Sequence, residues 1–299
     1  MKLFAPKYYK DFSCIADRCR HSCCIGWEID IDGETAEKYT ACRGAYAERV
    51  RASIAQEGEP HFRLGEGERC PHLNEKGLCR IIIELGEDHL CHICREHPRF
   101  YNDTALGREV GLGMACEEAC RLILSSDGYD EVYAVCELDG DPCEVEFDTL
   151  PHRKRLYEIL HDPNGGRAEK LEKIGKEYDL AIETLPDAAW HKLFEKIEYL
   201  DEAHRDLFGV FSTEATVDGR YEKILERALA YFIYRHCTEV WDACEFRAAL
   251  GFCLVCERLL ASLIGAGNDP LEAARILSEE IEYSEDNTEC IKDIIFDMN

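Results

Sequence analysis

Four cysteines stand within eleven residues near the start of the chain, two of them adjacent: Cys14, Cys19, Cys23 and Cys24. Ordinary core packing does not need thiols at this density, whereas a soft metal centre needs several thiolates to converge on one small volume. Five more cysteines follow downstream, at positions 70, 79, 91, 94 and 116. We therefore expect the two sets to fold together around a metal centre.

The redox state of these thiols follows from the compartment that the sequence predicts. The first residues contain no apolar segment of the kind found in secretory signals. No apolar run approaches the roughly 18 residues needed to cross a membrane. The sequence therefore predicts a cytoplasmic protein with no membrane partner and with reduced thiols, in which clustered cysteines indicate metal binding or catalysis rather than disulfides.

The charge of the chain limits its partners. A formal net charge of −26 over 299 residues provides no positive field to displace counterions from phosphates, which excludes nucleic acid as an expected partner. A basic partner, such as a lysine-rich protein surface, stays compatible with this charge. The simpler interpretation is that the carboxylates coat solvated helices and keep the protein soluble.

Cysteine usage divides the chain, because thirteen of the eighteen cysteines lie in residues 1–143. We predict a mainly α fold with a cysteine-rich metal-binding region at 1–125, which has few short strands. An acidic connection at 126–150 leads to an α-helical domain at 151–299, on which the metal-binding region packs.

Local patterns predict the elements of both regions. Alternation of apolar and polar residues predicts a short strand at 27–31, and apolar spacing predicts a helix from Thr35 to about Gln56. A hairpin is expected within 100–113, turning at Asn102-Asp103, followed by a helix at 115–124. In the C-terminal region the pattern predicts helices at 152–161, 167–183, 187–209, 218–237, 239–265, 270–283 and 287–297.

Cysteine spacing bears on which metal is bound. Only Cys91 and Cys94 have the Cys-x2-Cys spacing of a zinc knuckle, so a simple zinc ribbon fits poorly. Iron–sulfur clusters accept irregular spacing because their ligands reach the corners of a larger inorganic core. We expect a [4Fe–4S] cluster, with zinc and then reduced structural thiols as alternatives. The spacing does not determine which four ligate, and we draw the ligands from Cys19, Cys23, Cys24, Cys70, Cys79, Cys94 and Cys116, with His72 and His97 in reserve.

Other cysteines invite weaker interpretations. Cys91 and Cys94 could form a redox dithiol, but that role normally occurs at a helix start in a βαβ unit, which the sequence lacks. Cys253 and Cys256 share a helix face in apolar surroundings. A buried core position is the favoured interpretation of this pair over a second metal site.

The sequence contains few motifs typical of a nucleotide-type cofactor site. The nearest approach to a glycine-rich cofactor loop is Gly107-x3-Gly111-x-Gly113, ahead of the helix predicted from Ala115. A hairpin turn explains these glycines equally well.

The N-terminal half resembles the flagellin lysine N-methylase family and, more widely, small zinc- or iron-chelating domains with paired cysteines. A looser match in the C-terminal half is Ala228-x2-Tyr231-Phe232-x-Tyr234-Arg235, and Cys91 is an extra cysteine relative to the family pattern. The N-terminal resemblance rests on Pro6-Lys7-Tyr8-Tyr9, Phe12-Ser13-Cys14, Cys19, Cys23-Cys24, Gly26-Trp27-Glu28-Ile29-Asp30, Cys70-Pro71-His72-Leu73-Asn74, Gly77-Leu78-Cys79, Leu85-Gly86-Glu87, Cys94, Pro98-Arg99 and Cys116-Glu117-Glu118-Ala119.

The resemblance implies methyl transfer from S-adenosylmethionine to lysine ε-amines of flagellin, or of another lysine-bearing protein, in a protein with a cysteine-ligated cluster. Such a cluster would be structural, because methyl transfer from a sulfonium needs no electron. Aromatic faces for a methylammonium product are available at Tyr8, Tyr9, Trp27 and Tyr101. The sequence assigns no catalytic base and no cofactor pocket. A non-enzymatic metal-chelating or redox-sensing protein is the alternative.

Overall fold

A computed structural model describes residues 1–55, 57–141 and 144–298. Contacts group the chain into two compact units. The thiol unit is Ser13–Arg99, and the helical unit combines Met1–Phe12 with Phe100–Asn299.

Some sequence predictions extend beyond the described residues. Gln56, at the end of a predicted helix, is outside them, as are Pro142 and Cys143 in the predicted acidic connection and the terminal Asn299. The side chain of Glu183 is also outside them. The predicted division at 126–150 lies inside the helical unit. The assignment of residues 126–150 as a connection between two functional regions stays a prediction.

The described chain is mainly helical with a small sheet, as predicted. Its strands, numbered in chain order, are β1 (Lys2–Pro6), β2 (Ile54–Ala55), β3 (His61–Phe62), β4 (Arg99–Thr104), β5 (Gly107–Leu112) and β6 (Val132–Glu137). Its α-helices are α1 (Gly33–Ala41), α2 (Ala45–Ala52), α3 (Arg80–Leu85), α4 (His92–Glu96), α5 (Glu117–Ser125), α6 (Leu150–Leu160), α7 (Arg167–Tyr178), α8 (Asp187–Phe194), α9 (Arg205–Phe208), α10 (Glu222–His236), α11 (Ala243–Gly265), α12 (Pro270–Leu277) and α13 (Glu285–Met298).

Two local predictions in the thiol unit were wrong. The single helix predicted from Thr35 is divided into α1 and α2, because Gly44 between them adopts a φ of +106°, which a helix cannot contain. The strand predicted at 27–31 is reduced to one isolated bridge between Asp30 and His61. The alternation still marks burial correctly, since Ile29 and Ile31 are buried.

The core of the thiol unit is small and contains sulfur. Nine buried residues form it, and half-buried Cys24, Cys79 and Cys94 pack against them. A core of nine residues buries little apolar surface, and natural domains with small cores commonly add disulfides or metals. The buried residues are Ile29, Ile31, Tyr39, Val50, Phe62, Cys70, Leu73, Ile81 and Cys91.

The helical unit contains a four-stranded sheet in the order β4-β5-β1-β6. Strand β1 runs parallel to β5 and antiparallel to β6. The sequence interpretation missed two of these strands: it predicted no strand at residues 2–6, where β1 lies, and it assigned the residues of β6 to the acidic connection. Their pairing joins segments about 130 residues apart, which no local pattern encodes.

The hairpin predicted within 100–113 forms, but its turn was misplaced. Strand β4 ends at Thr104 and β5 begins at Gly107. The turn is therefore formed by residues 105 and 106 instead of 102 and 103. Asn102 is buried, and its amide donates to the carbonyls of Tyr234 (3.3 Å) and Arg235 (3.0 Å). The amide therefore satisfies carbonyls at the end of α10 instead of making a turn.

Helices α10 and α11 lie at the centre of the helical unit. Helix α11 is long and apolar enough to cross a membrane, but 94% of its most apolar window is buried inside the structure, as in a core helix. Cys253 and Cys256 are buried in this helix, as predicted. The sulfur of Cys253 lies 3.7 Å from that of Cys237.

A buried histidine in α10 makes stability depend on pH. His236 shares a 2.7 Å hydrogen bond with the buried carboxylate of Glu282, and burial lowers the pKa of His236 to about 4. The unfolded chain takes up this proton near pH 6.5, so between these values it binds more protons than the folded chain. Stability therefore falls as the pH falls. We expect His236 to contribute about 2 kcal/mol to the loss of unfolding free energy between pH 7 and pH 5.

The measurement is urea unfolding at both pH values for the native chain and for His236→Gln. Glutamine keeps a donor for Glu282 but does not titrate in this range. Equal pH dependence in the two proteins would contradict the expectation.

Candidate metal centre

Five cysteines of the thiol unit come together in the structure. Cys70 and Cys91 are buried in its core, Cys24, Cys79 and Cys94 pack against that core, and Cys91 and Cys94 share a hydrogen bond. Burial, and to a smaller extent the charges of Cys24 and Cys91, raise the pKa of Cys79. We call Cys24, Cys70, Cys79, Cys91 and Cys94 the thiol cluster.

Backbone pairing brings Cys24 and Cys70 together. Ile25 and Arg69 form an antiparallel bridge, and the amide of Cys70 donates to the carbonyl of Cys24 at 2.8 Å. Two cysteines 46 positions apart are thus placed side by side by a ladder too short for the sequence pattern to reveal.

A tight loop returns the chain from Cys70 to Cys79. Leu73 and Cys79 form an antiparallel bridge, and the side chain of Asn74 accepts hydrogen bonds from the amides at 76 and 78. Gly77 adopts a φ of +73° at the turn, which favours glycine. The Asn-x-x-Gly sequence between the two cysteines thus builds the turn that returns the chain to Cys79.

Backbone amides point at two of the sulfurs. The amides of His72 and Leu73 donate to Cys70, two and three residues after it. Those of Ile81 and Ile82 donate to Cys79 in the same relation. Amide donors stabilise a thiolate, and hydrogen bonds to ligand sulfurs are among the contacts that tune metal and iron–sulfur centres.

Burial raises the pKa values of these thiols, whereas hydrogen bonding lowers the pKa of a thiol that accepts the bond. Burial raises the pKa of Cys70 to about 12 and also raises that of Cys79. A hydrogen bond from Cys23, with help from Ser22 and the charge of Arg69, lowers the pKa of Cys24 to about 7. A bound cation would reverse the effect of burial, because a coordinating thiol is deprotonated outright.

The last two thiols share one hydrogen bond. Cys94 donates to Cys91, which lowers the pKa of Cys91 and raises that of Cys94. Cys91 is wholly buried and immediately precedes α4, which carries Cys94. The sequence interpretation ranked Cys91 below Cys94 as an extra cysteine, yet the structure places both in the thiol cluster. The Cys-x2-Cys spacing was the signal that could have retained it.

The remaining predicted ligands lie outside this cluster. The sulfur of Cys19 is half-buried and donates to the carbonyl of His21 at 2.9 Å. Cys23 is exposed, with its sulfur beside Cys24. Cys116 belongs to the helical unit, where it is half-buried and immediately precedes α5. Their roles as ligands stay predictions.

His72, a predicted reserve ligand, has both ring nitrogens engaged. Its Nδ1 lies 2.9 Å from the hydroxyl of Tyr46, and its Nε2 lies 2.9 Å from that of Ser53. The ring is wholly buried, and burial lowers its pKa to about 4. His72 therefore links the Cys70 loop to α2 as a neutral ring. Burial also lowers the pKa of His97, the other reserve ligand, to about 4.

The three glycines considered as a cofactor loop serve packing instead. Gly107 and Gly111 lie within strand β5, and a Cβ at Gly111 would stand 2.2 Å from the ring of Phe100. A Cβ at Gly113 would stand 2.3 Å from the hydroxyl of Tyr283. Close approach of aromatic rings therefore explains why the sequence has glycine at 111 and 113.

This packing gives a testable stability effect. Gly111→Ala should lower the free energy of unfolding by about 2 to 3 kcal/mol, because Phe100 must leave its position to admit the methyl group. Gly219→Ala is the matched control, since nothing lies within 4 Å of a Cβ at Gly219. Thermal unfolding of the two variants is the measurement. Equal melting temperatures would contradict the packing explanation.

The aromatic faces proposed for a methylammonium product differ in availability. Tyr8 is buried in the core of the helical unit. The ring of Tyr101 already has the guanidinium of Arg108 over it, 5.2 Å from the centroid. Tyr9 and Trp27 are half-buried.

Among the described residues, one group of three metal-type ligands has its ligand atoms close together, and it lies outside the thiol unit. Ligand atoms of His204, Glu279 and Glu280 lie within 4.8 Å of one another. The buried carboxylate of Glu280 already accepts hydrogen bonds from the amides of Leu200 (2.6 Å) and Asp201 (3.2 Å), and it bonds His204 Nδ1 at 2.6 Å. These contacts explain the group as an anchor for the 200–204 segment.

The donor set of the thiol cluster fits a soft metal. Five cysteines lie in or against one small apolar core, and backbone hydrogen bonds lower the pKa of two of them, Cys70 and Cys79. Among the described residues no three of these sulfurs lie within 4.8 Å of one another, so a bound metal would have to draw them closer. Thiolates select zinc or iron–sulfur clusters, and both are compatible with four of these sulfurs. Such a group would crosslink the segment that carries Cys24, the Cys70–Cys79 loop and α4, all within the thiol unit.

Comparison with known proteins gives the family. The chain is 30% identical over 130 residues to the flagellar biosynthetic protein FliU of Salmonella muenchen, covering 40% of this chain and 75% of that protein. This chain belongs to the family of FliU and the lysine-N-methylases. The resemblance seen in the sequence is thereby confirmed.

Two lysine-N-methylases of the family are similar to the same degree. They come from Salmonella choleraesuis (strain SC-B67) and Salmonella typhimurium (strain LT2), each 30% identical over 130 residues and 40% of this chain. The match spans about a third of the length of these two proteins, 32% in each. No protein-family model and no solved structure matches the chain.

Proposed function

We propose that this chain is a protein-lysine N-methyltransferase that uses S-adenosylmethionine and acts on flagellin or another lysine-bearing protein. The observation that carries the proposal is its membership of a family whose members are named lysine-N-methylase and flagellar biosynthetic protein. The strongly negative net charge of −26 supports a basic protein surface as substrate. We propose the cytoplasm as the place of action.

In this reaction a neutral lysine ε-amine attacks the methyl carbon of the sulfonium. The new N–C bond forms as the C–S bond breaks, S-adenosylhomocysteine leaves, and the methylated ammonium gives up one proton to a base or to water. No electron is transferred. The protein must therefore orient the two reactants in line and provide surroundings in which the amine is neutral.

We propose a structural role for the metal centre in this enzyme. Four of the sulfurs Cys24, Cys70, Cys79, Cys91 and Cys94 would hold a [4Fe–4S] cluster, with zinc as the alternative; when bound, the group supplies crosslinking rather than methyl chemistry. The small core of the thiol unit supports this role, because that unit needs a stabilising centre more than the helical unit does.

The competing proposal is a metal-chelating or redox-sensing protein without transferase activity. The thiol cluster favours it, since thiolates gathered in one small core are the ligands that soft metals prefer. The helical unit argues against it, because a metal store does not require about 200 further residues.

The test is transfer of labelled methyl from S-adenosylmethionine to purified flagellin by protein isolated without oxygen. We expect acid-stable label on lysine, and none on flagellin whose lysines have been acetylated. S-adenosylmethionine should also raise the melting temperature of the chain by mass action. Metal-loaded protein that shows neither transfer nor thermal stabilisation would overturn the enzyme proposal in favour of the chelating one.

Salt should slow this reaction if charge guides the substrate. The Debye length shortens from about 10 Å at 0.1 M to about 3 Å at 1 M, so attraction between the acidic surface and a basic protein is screened. We expect the rate on flagellin at low substrate concentration to fall several-fold over this range. A short peptide of zero net charge, with one lysine balanced by one glutamate, is the control and should react at a rate nearly independent of salt. Equal salt dependence for both substrates would exclude steering.

A further inference from the structure

Strand β6 forms an open edge of the four-stranded sheet. In the order β4-β5-β1-β6 it pairs with β1 on one side, and among the described residues no strand lies on its other side. Five of its six residues are apolar, yet Val132 and Val135 are each 39% exposed. An apolar edge strand with unpaired peptide groups is a template for the addition of another strand.

The two edges of this sheet differ. At the β4 edge, the amide of Asp103 donates to the carboxylate of Glu239 at 2.8 Å, and the side chain of Asn102 donates to carbonyls at the end of α10. Within the described part of the chain, the hydrogen bonds of β6 are those to β1. Its ladder has one bulge, at Val135, and β6 contains neither the lysine nor the proline that commonly protect an edge strand.

The segments on both sides of β6 are acidic. Residues 127–148 contain nine carboxylates and no lysine or arginine, and all nine carboxylates are exposed. Carboxylates ahead of the strand have cationic partners, as Glu131 has in Lys7 at 2.9 Å. Those that end or follow the strand make no ion pair within the described residues: Glu137, Asp139 and Asp141. The open edge therefore lies in a negative field that attracts cationic side chains.

We propose that the open edge of β6 binds an extended, lysine-bearing segment of a partner protein as an added strand. Main-chain hydrogen bonds to β6 give the affinity, and the flanking carboxylates select the cationic side chains. Charge favours this occupant over a second copy of the chain, whose net charge is also −26. The inference deepens the proposed function, because such a segment would present a lysine for methylation.

The test is hydrogen exchange of the β6 amides in the full chain, with and without a synthetic peptide in which lysine and valine alternate. We expect the peptide to slow exchange within residues 132–137, and to bind more weakly as salt rises. The matched control is the same peptide with every backbone amide N-methylated, which keeps its charge but removes the donors that a ladder needs. Equal protection by the two peptides would overturn strand addition.

Proline substitutions test the edge itself. Of two successive residues in a strand, one directs its N–H towards the neighbouring strand and the other directs it away. Tyr133→Pro and Ala134→Pro should therefore differ, because only one of them removes a donor from the ladder to β1. The variant that better retains its melting temperature should bind the peptide about tenfold more weakly than the wild type. Unchanged binding by that variant would contradict the proposal.

Charge substitutions test the choice of partner. Removing the negative charges of Glu137→Gln, Asp139→Asn and Asp141→Asn together should weaken peptide binding about tenfold at low salt. The matched control removes three exposed carboxylates from α13: Glu289→Gln, Asp293→Asn and Asp297→Asn. Equal weakening in both triple variants would show that net charge alone attracts the peptide, and would overturn recognition at β6.

The outcomes separate this inference from the proposed function. A peptide that protects β6 while no lysine-bearing protein accepts a methyl group overturns the transferase and supports the binding edge. Methyl transfer to a lysine-bearing protein that leaves β6 unprotected overturns the binding edge alone. Self-association of the chain that protects β6 without peptide, detected by analytical ultracentrifugation, would assign the edge to a second copy and overturn the proposal.

Discussion

Cys79→Ser is expected to abolish stable metal binding and to unfold the thiol unit. Cys79 packs against the core that contains Cys70 and Cys91, and it receives two amide donors at the start of α3. Structural metal sites supply about 10 kcal/mol or more of folding free energy in small domains, and the nine-residue core of this unit cannot replace that contribution. Metal analysis of anaerobically purified protein should show loss of bound metal by tenfold or more.

Limited proteolysis distinguishes this loss from general unfolding. Cleavage of Cys79→Ser should fall within Ser13–Arg99, while the helical unit resists. Cys253→Ser is the control, because that thiol is buried in α11 beside Cys237. It should keep full metal content and lose only about 1 to 2 kcal/mol of stability. Equal metal loss in both variants would contradict a centre in the thiol unit.

The second large effect concerns an ion pair in the helical unit. Glu109 of β5 and Arg153 of α6 form a bidentate pair at 2.6 and 2.7 Å, with side chains that are 0% and 8% exposed. The guanidinium also lies over the ring of Tyr234, 5.0 Å from its centroid. Glu109→Ala should lower the free energy of unfolding by about 3 to 5 kcal/mol, because the arginine is left buried without its partner.

Removing both charges tests this explanation. Glu109→Leu combined with Arg153→Met should be less destabilising than Glu109→Ala alone, since no unpaired charge remains in the core. Urea unfolding of the three proteins is the measurement. A double variant less stable than the single variant would show that the pair itself, rather than the burial of a lone charge, stabilises the fold.

Much of the helical unit could be predicted because helix signals are local. The spacing of apolar residues placed helices at each of the predicted C-terminal positions, and boundaries such as Pro270 and Gly265 were readable. The lengths predicted for these helices were less accurate than their positions. The helix predicted over 187–209 is divided into α8 and α9, because the intervening segment is held by hydrogen bonds to Glu280, some 80 residues away in sequence.

The predicted metal site was likewise accurate only where it depended on local sequence. Crowding of thiols pointed to Cys24, Cys70, Cys79 and Cys94, which lie in or against one small core, and their role as metal ligands stays a prediction. Polarity suggested His72 as a reserve ligand, yet both of its nitrogens are engaged by α2 and the residue that follows it. Ligand types can be recognised in a sequence, but the availability of a lone pair depends on neighbours that the sequence does not place.

The sequence by itself determined the mainly helical class, the density of thiols and the family, because periodicity, spacing and motif all lie within short stretches of chain. Only the tertiary structure decided that Cys91 joins the thiol cluster, that β1 pairs with β6, and that Gly111 makes room for a ring. Each of these depends on a contact partner. The hydroxyl of Tyr39 reaches Cys91 across 52 residues, and a contact at that separation is selected by the packing of the whole unit rather than by any local pattern.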